Sequence, residues 1–150
     1  MAYKLKSVTI RTDNSEIGMT KINELWADIM QGKIPLEFVE NGKPVNGLFP
    51  LSSYSDYENN ENGKYNLSIM SVTADFFAKM ESLVEQGKYT KIDESGKTIA
   101  ECADKAWSKV WELSLNGELK RAFTIDYEST VPAEYTKDGK THCCLYIAVK

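Results

Sequence analysis

Thr98-Ile99-Ala100-Glu101-Cys102-Ala103-Asp104-Lys105-Ala106-Trp107-Ser108-Lys109-Val110-Trp111 is the stretch that decides the fold. It opens on a T-x-x-E capping box, in which a hydroxyl and a carboxylate serve the unpaired N–H groups of a first helical turn. Cys102, Ala103, Ala106, Trp107, Val110, Trp111 and Ser114 then recur at helical spacing, and Asn116-Gly117 ends the run. A second such helix lies earlier. Ile22, Leu25, Trp26, Ile29 and Met30 fall at i, i+3, i+4, i+7 and i+8, closed by Gly32. Trp107 minus Trp26 gives an offset of 81, which also sets Met30 under Trp111 and Ile29 under Val110.

The same order of elements surrounds each helix. Before the first, Leu5, Val8 and Ile10 predict a strand that ends near Arg11-Thr12-Asp13-Asn14. After it come a strand over Val45–Leu51, a polar turn over Glu58–Gly63 and a strand over Lys64–Thr73. In the second half, Glu81–Val84 reads as a short strand, Gln86-Gly87 as a bulge or turn, and Tyr89–Ile92 as its continuation. Beyond the helix lie a strand over Leu119–Tyr127, a turn with its tip at Asp138-Gly139, and a last strand over Thr141–Val149. Ala74–Met80 is expected to be the crossover. Matching helices in matching order imply an internal duplication, with repeats of about 1–73 and 80–150. The fold expected is α+β: two βαββ modules related by a pseudo-twofold axis, two helices packed on one curved antiparallel sheet, and a groove near the axis.

Length and charge narrow the function classes. The chain has 150 residues, enough for one domain with a core of its own. Its 18 basic against 22 acidic side chains give a net charge of -4, which disfavours direct nucleic-acid binding and suits a cationic or neutral partner. Neither a membrane-length apolar run nor a signal-peptide h-region is present. Cys102, Cys143 and Cys144 read as reduced thiols of a cytoplasmic protein, because adjacent strand residues face opposite ways and the count is odd. One histidine, His142, leaves no zinc-like spacing, and neither a metal nor a cofactor is expected.

Several short motifs resemble the effector-binding domain of bacterial AraC-type and MerR-type transcription regulators. That domain also occurs alone, in gyrase-inhibitor-like proteins and in products of mobile integron cassettes. The motifs are Val8-Thr9-Ile10-Arg11-Thr12-Asp13-Asn14, Leu25-Trp26, Tyr54-Ser55-Asp56-Tyr57-Glu58 with Asn62-Gly63-Lys64-Tyr65, and Gly87-Lys88-Tyr89. Ala106-Trp107 with Val110-Trp111, Asp126-Tyr127-Glu128, and Leu145-Tyr146-Ile147-Ala148-Val149-Lys150 complete the series. Gln86 stands where the family usually has alanine. The resemblance implies a central cavity for lipophilic, often cationic aromatic molecules, with an acidic residue deep inside facing aromatic side chains. No helix-turn-helix accompanies the motifs, so no DNA-binding role is carried over. The opening Met1 sets the expectation that no regulator half precedes it.

A flat lipophilic cation needs apolar surface, π faces and a compensating negative charge. A ligand of ~25 heavy atoms at roughly 0.3 kcal/mol each gains about 7.5 kcal/mol, which is micromolar affinity. Glu128 is the leading acidic candidate and Asp126, two residues away on the same strand face, the second. Trp107 and Trp111 on one helix, and Trp26 and Met30 on the other, read either as plain core or as cavity walls. Tyr54 and Tyr146 are the tyrosines expected to line the site, with Phe49 as an apolar wall. A register shift of one residue in the last two strands would exchange Tyr127 for Glu128.

Two rival functions remain open at this level. Some gyrase-inhibitor-like relatives are hydrolases of strained electrophiles, and here Glu128 would be the base and Tyr146 the hydrogen-bond donor. The acidic turn with Asp56, Glu58 and Glu61 would instead suit a basic protein partner, such as a regulator subunit or gyrase. The oligomeric state is open.

Overall fold

The computed structural model describes residues 4–34, 36–40, 43–45, 47–58, 63–131 and 139–150. The chain is α+β and divides into two compact units, Met1–Lys79 and Met80–Lys150.

In the first unit, β1 (Lys4–Thr12) leads to helix α1 (Glu16–Met30). Two short strands, β2 (Val39–Glu40) and β3 (Lys43–Pro44), pair with each other before β4 (Phe49–Ser55) and β5 (Tyr65–Val72) form a hairpin. β5 is central, antiparallel to both β1 and β4. Its Tyr65, Leu67 and Ile69 point at α1 and pack with Leu25, Ile29, Leu36 and Phe38.

In the second unit, β6 (Tyr89–Gly96) leads to α3 (Ile99–Leu115), then β7 (Ile125–Val131) and β8 (Thr141–Ala148). β8 is central, antiparallel to β6 and β7. Cys143, Leu145 and Ile147 point at α3 and pack with Cys102, Ala106, Val110 and Ile92. Small residues at 102 and 106 let the helix lie close to the sheet, and all three helical contacts are fully buried.

The helix starts follow from their caps. Ser15 accepts a hydrogen bond from the Gly18 N–H, and Thr98 accepts one from the Glu101 N–H. The Glu101 carboxylate reaches back to the Lys97 N–H at 3.1 Å, one residue before the cap itself. Each helix ends in paired bonds that close on a glycine with positive φ. For α1 these are Gly32 N–H to Ile29 O and Lys33 N–H to Asp28 O, with Gly32 at φ 80.

Three expectations need correction. Residues 74–85 are one helix, α2 (Ala74–Glu85), not a crossover followed by a strand over Glu81–Val84. Phe76 and Met80 are buried one helical turn apart, and Leu83 and Val84 continue that face. A break placed at Met80 hides this period. The division between the units falls inside α2.

The second strand of the first unit starts at Phe49 rather than Val45, because Val45 bonds back to Phe38 in the β2–β3 turn region. The strand expected over Leu119–Tyr127 runs from Ile125 to Val131. Phe123 has φ 55 and breaks the extended chain there, while Arg121 bridges separately to Val149. The turn residues 59–62 and 138 lie outside the described residues.

Candidate functional site

The register of β7 resolves the alternative between Tyr127 and Glu128. Glu128 pairs with Leu145 and Tyr127 with Tyr146. Leu145 belongs to the core under α3, so strand alternation puts Glu128 and Asp126 on the α3 face and Tyr127 on the opposite one. On that face the Trp107 Nε1–H donates to Glu128 Oε1 at 2.9 Å. The Trp107 and Trp111 rings lie 6.3 Å apart at 33°. Trp107 is half-buried, and Trp111 is 38% exposed. A carboxylate is thus hydrogen-bonded to one indole, which packs beside a second that solvent reaches.

Asp126 has another role. It is fully buried and forms an ion pair with buried Arg121, Nη2 to Oδ2 at 2.9 Å. Its other oxygen accepts the Ala148 N–H at 2.8 Å. The Arg121 guanidinium lies 4.4 Å from the Phe123 ring and 6.0 Å from Trp107. Sequence reasoning missed Arg121 because it sat inside a run taken as strand.

Tyr146 lies on the other face of β8. Its hydroxyl donates to Glu81 Oε1 at 3.2 Å, and Lys91 Nζ donates to the same oxygen at 2.6 Å. The Lys91 hydrogen bond holds the Glu81 carboxyl below the usual range, and burial pushes the Tyr146 hydroxyl up. Glu128 and Tyr146 therefore face opposite ways, and the base–donor pair considered for a hydrolase is not assembled in this unit. Cys144 shares the Tyr146 face, and burial raises its thiol to about 11, away from nucleophilic thiolate. Glu81 and Lys91 were not singled out by sequence, because residue 81 was read as strand.

In the first unit, Trp26 meets Phe38 edge-on at 6.2 Å. Tyr54 packs against Tyr65 at 5.5 Å on the α1 face. Met30, at the end of α1, is 45% exposed. Phe49 lies on the opposite face and meets Phe77 of α2 at 5.5 Å. In the acidic turn, Asp56 pairs with Arg11 at 3.5 Å, and Glu61 lies outside the described residues.

A surface cleft of about 420 Å³ opens beside the start of α1, lined by Arg11, Asp13, Lys21 and Lys64 among others. It holds none of the residues picked from the sequence. Among the described residues, no group of three His, Cys, Asp or Glu side chains is placed to hold a metal ion. No helix among them is long and apolar enough to cross a membrane.

Within single units, then, the structure brings together Trp107, Trp111 and Glu128. Asp126 is adjacent but committed to Arg121, and Tyr146 and Phe49 are on the opposite faces of their sheets. No family model matches the chain, and no curated protein does either. The fold is that of an integron cassette protein from the mobile metagenome of Vibrio cholerae. The two are 18% identical, with a TM-score of 0.63 over 98% of this chain and 93% of that one.

Proposed function

We propose that this chain is a small-molecule binding module whose Trp107–Trp111–Glu128 cluster takes flat lipophilic cations. The observation that carries the proposal is the Trp107 Nε1–H bond to Glu128 at 2.9 Å beside a second, partly exposed indole. The bond orients the carboxylate beside π surface, and cation–π contact contributes about 0.5–2 kcal/mol where water is partly removed. Drug-sized ligands of this kind bind at roughly micromolar affinity.

The finer reading, a duplicated effector-binding domain like those of AraC-type and MerR-type regulators, is part of the same proposal. It is supported by the quoted motifs and by the strand, helix and long-strand pair found in each unit, to which the first unit adds the short β2–β3 pair. Cytoplasmic residence, and a protein partner such as a regulator subunit or gyrase, rest on the resemblance alone.

The test is isothermal titration of the protein with 1-methyl-4-phenylpyridinium and with its uncharged analogue 4-methylbiphenyl. Saturable binding of the cation, tighter than the neutral compound, is expected. Equal affinity for the two, or no binding of the cation, refutes the proposal.

A further inference from the structure

The cleft beside the start of α1 lies wholly in the first unit and shares no residue with the cluster proposed above. Its cations come from three places in the chain: Arg11 on β1, Lys21 on α1 and Lys64 just before β5. Its floor is fixed. The Thr12 hydroxyl donates to the Gly18 carbonyl at 2.9 Å, and both residues are buried. Gly18 leaves no room for a side chain, because a Cβ there would collide with the carbonyl and carboxylate oxygens of Asp13. The first turn of α1 is already capped, with the Gly18 and Met19 N–H groups both bonded to Ser15, so the charge of the cleft is that of its side chains.

Asp13 is the one carboxylate among the lining residues, and Ser15 donates to it twice, from its N–H at 3.0 Å and from its hydroxyl. Those bonds hold the Asp13 carboxyl below its ordinary value, and the Lys64 and Lys21 ammoniums add to the lowering. Two cations from different elements thus act on one point, and neither has an ion-pair partner among the described residues. Arg11 is engaged: its Nη1 donates to the Asp56 carbonyl at 2.6 Å and to Asn66 Oδ1 at 3.2 Å, and lies 3.5 Å from the Asp56 carboxylate. Ile17 belongs to the same lining and is 76% exposed.

We infer that this cleft binds organic phosphate monoesters, with the phosphate between Lys21 and Lys64 and an apolar body against Ile17. Two ammoniums match an anion of about two charges, which a phosphate monoester approaches at neutral pH and a carboxylate does not. A phosphate ion alone would fill little of the cleft, whose volume of about 420 Å³ is that of sites that take whole organic molecules.

Titration of the full chain with 2-naphthyl phosphate, 2-naphthoate and inorganic phosphate tests this, read by calorimetry and by amide NMR shifts. Saturable binding of the naphthyl ester is expected, roughly fivefold tighter than either of the others, with shifts centred on Thr12, Asp13, Ser15 and Lys64. Lys21→Gln and Lys64→Gln, both at exposed positions, should each weaken it roughly fivefold, the scale of one charge contact near water. Lys105→Gln removes the same charge from α3 in the second unit and should leave the affinity unchanged. Naphthoate bound as tightly as the ester overturns the phosphate assignment, and inorganic phosphate bound as tightly overturns the role of Ile17. No binding of the ester, shifts centred elsewhere, or an equal loss in Lys105→Gln overturns the site itself.

Discussion

The two units share one plan and fill it differently. Strands β5 and β8 carry the same sequence of buried and half-buried positions, and each is the central strand of its unit. Ser52 pairs with Ile69 as Glu128 pairs with Leu145, and Pro50 with Ser71 as Asp126 with Ile147 by continuation of the register. Trp26 and Trp107 hold corresponding places on their helices. Beside Trp26, the long connection over residues 31–48 brings in Leu36 and Phe38, each 5% exposed, and the gap closes with hydrocarbon. Beside Trp107, the shorter connection over 116–124 brings in Arg121, and the gap holds a buried ion pair and a glutamate instead. Apolar filling stabilises without needing partners. A charged filling imposes exact partnering, which adds little net stability but supplies chemistry. The second unit is accordingly where cation binding is proposed.

The largest effects should come from breaking each filling. Arg121→Met leaves the Asp126 carboxylate buried without its cation and should cost about 3–5 kcal/mol, read by chemical denaturation. Adding Asp126→Asn should recover most of that loss, because the charge then disappears with its partner. Phe38→Ala should cost about 3–5 kcal/mol through the cavity it opens beside Trp26, and no charge change should rescue it. A double variant as unstable as Arg121→Met alone would contradict the contrast.

The caps give a smaller, symmetrical test. Ser15→Ala and Thr98→Ala should each lower stability by about 1 kcal/mol, since each removes an acceptor for a first-turn N–H. Unequal losses would show that one unit depends on its helix more than the other.

The smallest effect concerns Glu81 and Lys91. Lys91 lowers the Glu81 pKa, so the glutamate's stabilising share is present above its unfolded pKa and fades as pH falls through the lowered folded value. The Lys91 pKa is raised, so its share is present below its unfolded pKa and fades as pH rises through the folded value. Glu81→Gln should flatten the acid limb of a stability–pH curve while costing less than about 1 kcal/mol at neutral pH, because the pair is half in water.

Much of this was legible from residue pattern. The period of Ile22 to Met30 and of Cys102 to Trp111, the Thr98 cap and the alternation of Leu145 and Ile147 with Tyr146 and Ala148 mark helices α1 and α3 and strand β8 directly. Helix α2 was lost because Phe76, Met80 and Val84 were divided between two elements, and a helical period cannot be seen in halves. The Glu128–Trp107 contact followed once the register was set. The Arg121–Asp126 pair did not, because it depends on a bend at Phe123 with positive φ, a conformation that no side chain in that run announces. The roles given to Tyr146 and Phe49 were a matter of strand face, which one residue of register decides.

The central claim is that the Glu128 carboxylate selects for positive charge. Its most direct test is titration of the unmodified protein and of Glu128→Gln with 1-methyl-4-phenylpyridinium and 4-methylbiphenyl. The account predicts that the glutamine variant folds normally, binds the neutral compound as before, and loses roughly tenfold in affinity for the cation. A cation preference that survives the substitution unchanged would contradict it.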